Sequence, residues 1–154
     1  MSADVRELVE QMVAEMREVS DDVRYLFLPV EPRPASRPKV TKYGTYFGRP
    51  YTIFRQTAQP YANAYQGPPP IQGPVVILIE IVCTKPKTGK LKHPRGDTDN
   101  YVKGVMDVMT KSNNFWKDDV QVVALYAYKR YAETKPQEAF GTHVYLYETP
   151  TKQP

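Results

Sequence analysis

The chain has 154 residues, of which 41% are hydrophobic and 25% charged, and its formal net charge is +4. This length and composition are typical of one soluble globular domain with its own core. The only cysteine, Cys83, excludes an intrachain disulfide and a cysteine-clustered zinc site, and it favours a reducing, intracellular location. The longest apolar run, residues 75–82, contains Glu80 and is too short to cross a bilayer.

The first predicted element is a helix over residues 4–19. Its apolar residues recur at spacings of three and four, which is the period of a helix with one buried face. The opposite face is mostly acidic, with Glu7, Glu10, Glu15 and Glu18. An acidic amphipathic segment of this kind is neither a secretory signal nor a transit peptide.

Two later stretches, residues 33–55 and 84–95, are rich in basic residues and contain no acid. Aromatic residues are interleaved with the cations of the first stretch, and proline keeps its first half from forming a helix. A basic surface of this kind is typical of nucleic-acid binding. The candidate nucleic-acid-binding residues are Arg33, Arg37, Lys39, Lys42, Lys85, Lys87, Lys90, Lys92 and Arg95.

The remaining elements alternate between strands and helices. Strands are predicted over 23–30, 75–83, 120–131 and 142–148, and the second of these is apolar enough to lie at the centre of a sheet. Helices are predicted over 99–111 and, more weakly, over 55–65 with a break or cap at Pro60. Because apolar strands need helices packed on them, we expect a single α+β domain with a mixed sheet.

The helix over 99–111 has an unusual polar face. Asp99, Lys103 and Asp107 are four residues apart and lie opposite an apolar stripe that contains Tyr101 and Val105. Asp99 suits the N-cap position. Glycine at 104 costs stability inside a helix, which indicates that another group approaches the backbone there.

Further carboxylates flank this helix. Asp97 precedes it, and Asp118 and Asp119 precede the next strand after a short turn. Taken singly, each aspartate fits a structural role in helix capping or turns. Taken together, four or five carboxylates are expected to converge, and such hard oxygen ligands suit Mg²⁺ or Mn²⁺. A metal pocket inside a basic surface is what phosphodiester cleavage requires.

The segments DTDNYVKGVMDVM and NNFWKDDVQVVALYAYKR resemble the RusA-type Holliday junction resolvases of phages and prophages. The matching positions are Asp97, Asp99, Asn100, Lys103, Asp107, Asp118, Asp119, Gln121 and Val122. A motif of several parts at this spacing is far more specific than any one pair of acids. The resemblance extends over roughly residues 25–148.

This resemblance implies an α+β homodimer that cuts four-way DNA junctions symmetrically with Mg²⁺, with Mn²⁺ as an alternative. It places the catalytic residues at Asp97, Asp99, Lys103 and Asp119. It places the metal ligands at Asp97, Asp99 and Asp119, with Asp118 as an alternative to Asp119. The implied nuclease domain spans 23–149, after an N-terminal helical extension (1–22) and before a polar tail (150–154). The expected location is the cytoplasm of a bacterium or phage-infected host, without a membrane partner.

Two other functions fit the same residues. A non-catalytic module that binds branched DNA would use the basic stretches and leave the acids structural. A metal-dependent nucleotide phosphohydrolase would use the acids but would need few cations, so the two basic stretches favour a nucleic-acid substrate.

Overall fold

The computed structural model of the protein describes residues 4–36, 39–46 and 48–150, with a four-stranded mixed sheet at the centre. The helices are α1 (Val5–Val19), α2 (Arg49–Asn63) and α3 (Thr98–Ser112), and a short 3₁₀ helix spans Asp119–Gln121. The strands are β1 (Arg24–Leu28), β2 (Lys39–Thr41), β3 (Gly44–Tyr46), β4 (Val75–Cys83), β5 (Val122–Tyr131) and β6 (Gly141–Glu148). The predicted α+β class is confirmed.

Strand β4 forms the centre of the sheet, whose strand order is β1-β6-β4-β5. It pairs in parallel with β5 and antiparallel with β6, and all nine of its residues are buried. A strand with apolar residues on both faces must be covered on both sides. Because α3 connects the two parallel strands, β4, α3 and β5 form a βαβ unit.

Three layers result from this requirement. Helix α1 covers one face of the sheet, where Val9 and Met16 pack with Val76, Leu78 and Tyr147. Helices α2 and α3 cover the other face, and their buried residues form one cluster with alternate residues of β4: Ile77, Ile79 and Ile81. This alternation follows from the two-residue period of a strand.

Helix α2 differs most from its sequence-based prediction. It begins at Arg49 and continues through Pro60, so the prediction of a short helix broken at Pro60 is wrong. Gly48 is its N-cap, and Pro50 suits the first turn, where the missing N–H has no intrahelical partner. Ala58 and Ala62 are fully buried, so packing on the sheet offsets the bond lost at Pro60.

Local hydrogen bonding also adds one hairpin and moves the start of one strand. The Pro- and Arg-rich segment contains the exposed β2–β3 hairpin, whose Gly44 has φ 127°. The strand predicted from residue 120 begins at Val122, because the preceding residues form the 3₁₀ helix.

A buried ionic network joins β4, β5 and the loop before β6. The Arg130 guanidinium donates to Glu80 at 3.0 Å and to both carboxylate oxygens of Glu138 at 2.6 and 2.7 Å. These hydrogen bonds from Arg130 lower the pKa of Glu138 to about 2, whereas burial raises the pKa of Glu80. Glu138 is therefore ionised in this network near neutral pH.

We expect Glu138→Gln to lower the free energy of unfolding by about 1.5–3 kcal/mol near pH 7, because charge-assisted hydrogen bonds to Arg130 are weakened. The folded-state pKa of Glu138 is depressed, so its contribution is present above about pH 4.5 and is lost as pH falls towards 2. Urea unfolding at several pH values should show the two proteins converging in acid. A difference that stays constant from pH 7 to 2.5 would contradict this assignment.

Candidate active site and nucleic-acid interface

The polar face of α3 is presented to solvent as the sequence predicts. Asp99, Lys103 and Asp107 are exposed, whereas Tyr101 and Val105 on the opposite stripe are buried. Gly104 lets α2 approach this helix.

The close contact at Gly104 is aromatic. A Cβ at this position would lie 3.0 Å from ring atoms of both Tyr51 and Phe54. The glycine therefore serves helix packing, which places Tyr51 beside the acidic face.

The N-terminal end of α3 is fixed by two hydrogen bonds from other parts of the chain. The Ala35 amide donates to the Asn100 carbonyl at 2.9 Å, and Lys129 Nζ donates to the Gly96 carbonyl at 2.6 Å. Asp97 is the N-cap residue, and Asp99 lies in the first turn, so the prediction of Asp99 as N-cap is wrong. Both acids are exposed, and the Asp97 side chain makes no capping hydrogen bond.

A second acidic group lies around the C-terminal half of α3. The Tyr51 hydroxyl donates to Asp107 at 2.9 Å. Burial, followed by this bond to Asp107, raises the pKa of Tyr51 to about 12. Partial burial raises the pKa of Asp119, and the hydrogen bond with Asp118 and the charges of Asp118 and Asp107 raise it further. These three carboxylates therefore lie within range of one another's charge.

The turn that presents Asp119 is built by its neighbours. The Asp118 carboxylate accepts a hydrogen bond from the Val120 amide at 3.0 Å and caps the 3₁₀ helix. The Gln121 side chain accepts from the Lys117 and Asp118 amides and donates to two carbonyls near the start of β4. Gln121 therefore has a structural role, and Asp118 is partly engaged in capping.

The expected convergence of four or five carboxylates is not seen. Among residues 4–36, 39–46 and 48–150, no three His, Cys, Asp or Glu side chains form a group that could hold a metal ion. The βαβ connection explains this. It places the start of α3 at the carboxyl end of β4 and the start of β5 at the other end of the sheet. Asp99 and Asp107 alone are about 12 Å apart along the helix axis.

The candidate ligand atoms are still of the type that binds divalent cations. All the candidate ligands are carboxylates, which are hard oxygen donors. Mg²⁺ is commonly held by one or two protein carboxylates together with water and substrate phosphate oxygens. A cation held by one or two of these carboxylates would be completed by water and substrate phosphate oxygens.

Some of the predicted basic residues lie near the start of α3, and others lie beside α1 or on the β2–β3 hairpin. Arg33, Lys90 and Arg95 line one cavity of about 230 Å³ together with Tyr101. The second basic stretch forms a loop after β4, called the basic loop below. Lys85, Lys90 and Lys92 of this loop line a groove of about 630 Å³ between it and α1. Lys87 in that loop, and Lys39 and Lys42 on the β2–β3 hairpin, are exposed. Arg37 lies outside the described residues.

Several residues at the site were not assigned a functional role from the sequence. Tyr51 and Lys129 were missed because their partners are 56 and 33 positions away, and no local pattern connects them. Arg6 of α1 lines the larger basic groove and was likewise missed. Phe115 and Trp116, which precede the acidic turn, are fully buried, as expected of core residues.

We expect Asp118→Asn to lower the pKa of Asp119 towards the ordinary aspartate value, because a neighbouring negative charge is removed. Asparagine is also a good capping residue, so the turn should persist. Carboxyl carbon chemical shifts followed by NMR against pH would measure the change. Asp22→Asn provides a control away from the site, and an unchanged Asp119 titration in Asp118→Asn would show that the two carboxylates are not coupled.

Comparison with known families identifies one match. Residues 29–138, more than two-thirds of the chain, match the model of the family described as Endodeoxyribonuclease RusA. This range includes both acidic groups and both basic stretches, whereas α1, β1 and β6 lie outside it. No curated protein sequence matches the chain. None of the helices in the described part of the chain is long and apolar enough to cross a membrane.

Proposed function

Because the chain belongs to the RusA family of endodeoxyribonucleases, which indicates Holliday junction endonuclease activity, we propose that it resolves four-way DNA junctions by paired, symmetric, metal-dependent incision. The observation that supports this most directly is the exposed acidic face of α3 beside cavities lined by arginine and lysine. Cations hold the phosphate backbone, while carboxylates at the same surface provide the ligands for a catalytic metal.

The catalytic roles are proposed for Asp97, Asp99, Lys103 and Asp119. A divalent cation, Mg²⁺ or Mn²⁺, would be held by Asp97 and Asp99 at the start of α3 or by Asp119 at the other end of the sheet. It would polarise the scissile phosphate and lower the pKa of a bound water. Lys103 lies one turn from Asp99, where its ammonium group suits a non-bridging phosphate oxygen. Asp119 is favoured over Asp118 as a ligand because Asp118 already caps the 3₁₀ helix.

The proposed nuclease domain spans residues 23–149, with the extension at 1–22 and a tail at 150–154. Helix α1 packs on the sheet face opposite α2 and α3, so it leaves the acidic face of α3 uncovered. The proposed site of action is the cytoplasm of a bacterium or a phage-infected host.

We expect Asp97→Asn, Asp99→Asn and Asp119→Asn each to abolish junction nicking, while junction affinity is kept or rises. The substitution preserves shape but removes the charge that holds a cation, and fewer carboxylates repel the incoming phosphate less. Asp118→Asn should have a smaller effect. Lys103→Ala should lose cleavage without losing metal binding.

Nicking of a labelled four-way junction with Mg²⁺ or EDTA, gel shift and a metal titration would measure these effects. Asp22→Asn is the matched control because Asp22 lies on neither acidic group. Wild-type nicking rates in all three aspartate variants would favour the non-catalytic binding module. Hydrolysis of free nucleotides in preference to junctions would favour the phosphohydrolase.

The basic loop should dominate the salt dependence of binding. Each lysine that contacts a phosphate contributes about 0.9 to the slope of log affinity against log salt. Replacing Lys85, Lys87, Lys90 and Lys92 by alanine should therefore flatten the slope by about 3 to 4. The double variant Arg17→Ala/Lys135→Ala controls for general loss of positive charge. An unchanged slope in the fourfold variant would show that the basic loop does not contact DNA.

We also propose a homodimer, because symmetric incision of a two-fold junction calls for two active sites related by a two-fold axis. Strand β5 offers a surface for it. In the part of the chain that the structure describes, this ten-residue strand pairs only with β4, and Val123 and Leu125 are 62% and 43% exposed. A long apolar edge of this kind is suited to pairing with a second copy.

Sedimentation at micromolar concentration should give a dimer. Leu125→Lys should shift it towards monomer, since a charge would be placed in the interface. Leu8→Lys on α1 is the control because Leu8 has similar exposure, 40%. A wild-type monomer that still makes paired cuts would contradict the homodimer.

A further inference from the structure

A large apolar groove lies beside α2, away from the acidic face of α3. Its volume is about 920 Å³, within the range of ligand-binding cavities. Three large apolar side chains of its lining remain substantially exposed: Ile53 at 46%, Tyr61 at 47% and Phe140 at 40%. Exposed apolar side chains gathered in one groove indicate a binding surface.

Helix α2 lies between the groove and the acidic face of α3, with one flank towards each. Arg49, Ile53, Thr57 and Tyr61 repeat every four residues along the groove side of α2. The other flank contributes to a cavity of about 280 Å³ that includes Arg55 and Asp107. Because a helix with its side chains is about 10–12 Å across, one DNA strand can span both flanks.

The charges of the groove match a nucleic acid. Arg33 and Arg49 belong to its lining. Among the described residues of its lining, Glu31 is the only acid, and its carboxylate accepts hydrogen bonds from the Thr84 amide at 3.2 and 3.4 Å. The exposed basic hairpin of Lys39 and Lys42 precedes α2 directly in the chain.

These charges disfavour a second copy of the chain as the occupant. A two-fold contact brings the same patch of each subunit together. Arg33 and Arg49 of both subunits would then be buried in one interface, and like charges gathered at an interface are costly.

We propose that this groove binds an unpaired nucleotide of the branched DNA, with its base against Tyr61 and Phe140 and its phosphates near Arg33 and Arg49. The inference rests on the proposed function, since it concerns how the same enzyme selects its substrate. Removing a base from a duplex costs unstacking and unpairing energy, and the cost is least where pairing is already interrupted. The groove therefore favours branch points over linear duplex.

The first experiment measures equilibrium affinity for a four-way junction and a linear duplex of matched sequence, without added metal. Tyr61→Ala and Phe140→Ala should each reduce the preference for the junction by about five- to hundredfold, as expected when one base loses an aromatic partner. Tyr61→Phe keeps the ring and should retain the preference. Leu8→Ala controls for loss of an exposed apolar side chain elsewhere.

The second experiment places 5-iododeoxyuridine at the branch point and maps photo-crosslinks by mass spectrometry. Crosslinks should lie in the peptides that contain Tyr61 or Phe140 and should be absent with the same base inside a duplex. Crosslinks confined to other peptides, or equal losses of junction and duplex affinity in the alanine variants, would overturn the proposal. A change in sedimentation of those variants would instead identify an interface between copies and would also overturn it.

Wild-type junction preference and metal-dependent nicking, measured on the same preparation, separate the two proposals. One outcome is that the wild type prefers and nicks junctions while both alanine variants keep that preference. In that case only the proposal of a nucleotide-binding groove is wrong. If the wild type does not distinguish junction from duplex, both proposals fail.

Discussion

The burial of β4 on both faces is the constraint on which the other layers depend. Nine consecutive buried residues cannot face water on either side, so the chain must supply a helix layer to each face. Helix α1 provides one layer, and α2 with α3 provides the other. Because α3 must also return the chain to a parallel neighbour of β4, its two ends lie at opposite ends of the sheet.

This arrangement gives the site two chemically different ends. At the carboxyl end of β4, Asp97 and Asp99 lie near a cavity lined by cations, including Arg33 and Arg95. Open sheets that contain parallel strands often bind ligands beyond these carboxyl ends. At the other end, partial burial and then the neighbouring Asp118 and Asp107 raise the pKa of Asp119, and like charges this close favour a cation as neighbour. The proposed nuclease chemistry could therefore use carboxylates at either end of this surface.

In the proposed mechanism, helix α2 would connect this chemistry to substrate selection. One flank holds Tyr51 against Asp107, and the other forms the apolar groove with Tyr61. Close packing at Gly104 makes the two helices one rigid support, because aromatic rings fill the space that a side chain would otherwise occupy. If DNA binds as proposed, contacts on one flank would fix the position of a strand on the other.

The sequence by itself determined the α+β class, the central β4, the exposed polar face of α3 and the family motif. These features are local, because hydrophobic period and residue spacing along one segment decide them. Only the tertiary structure decided that Asp97 occupies the N-cap position of α3 and that α2 runs through Pro60. It also decided that Tyr51 binds Asp107 and that the expected cluster of acids does not form among the described residues. These features depend on contacts between residues far apart in the chain and on the direction of a βαβ connection, neither of which is encoded in a local pattern.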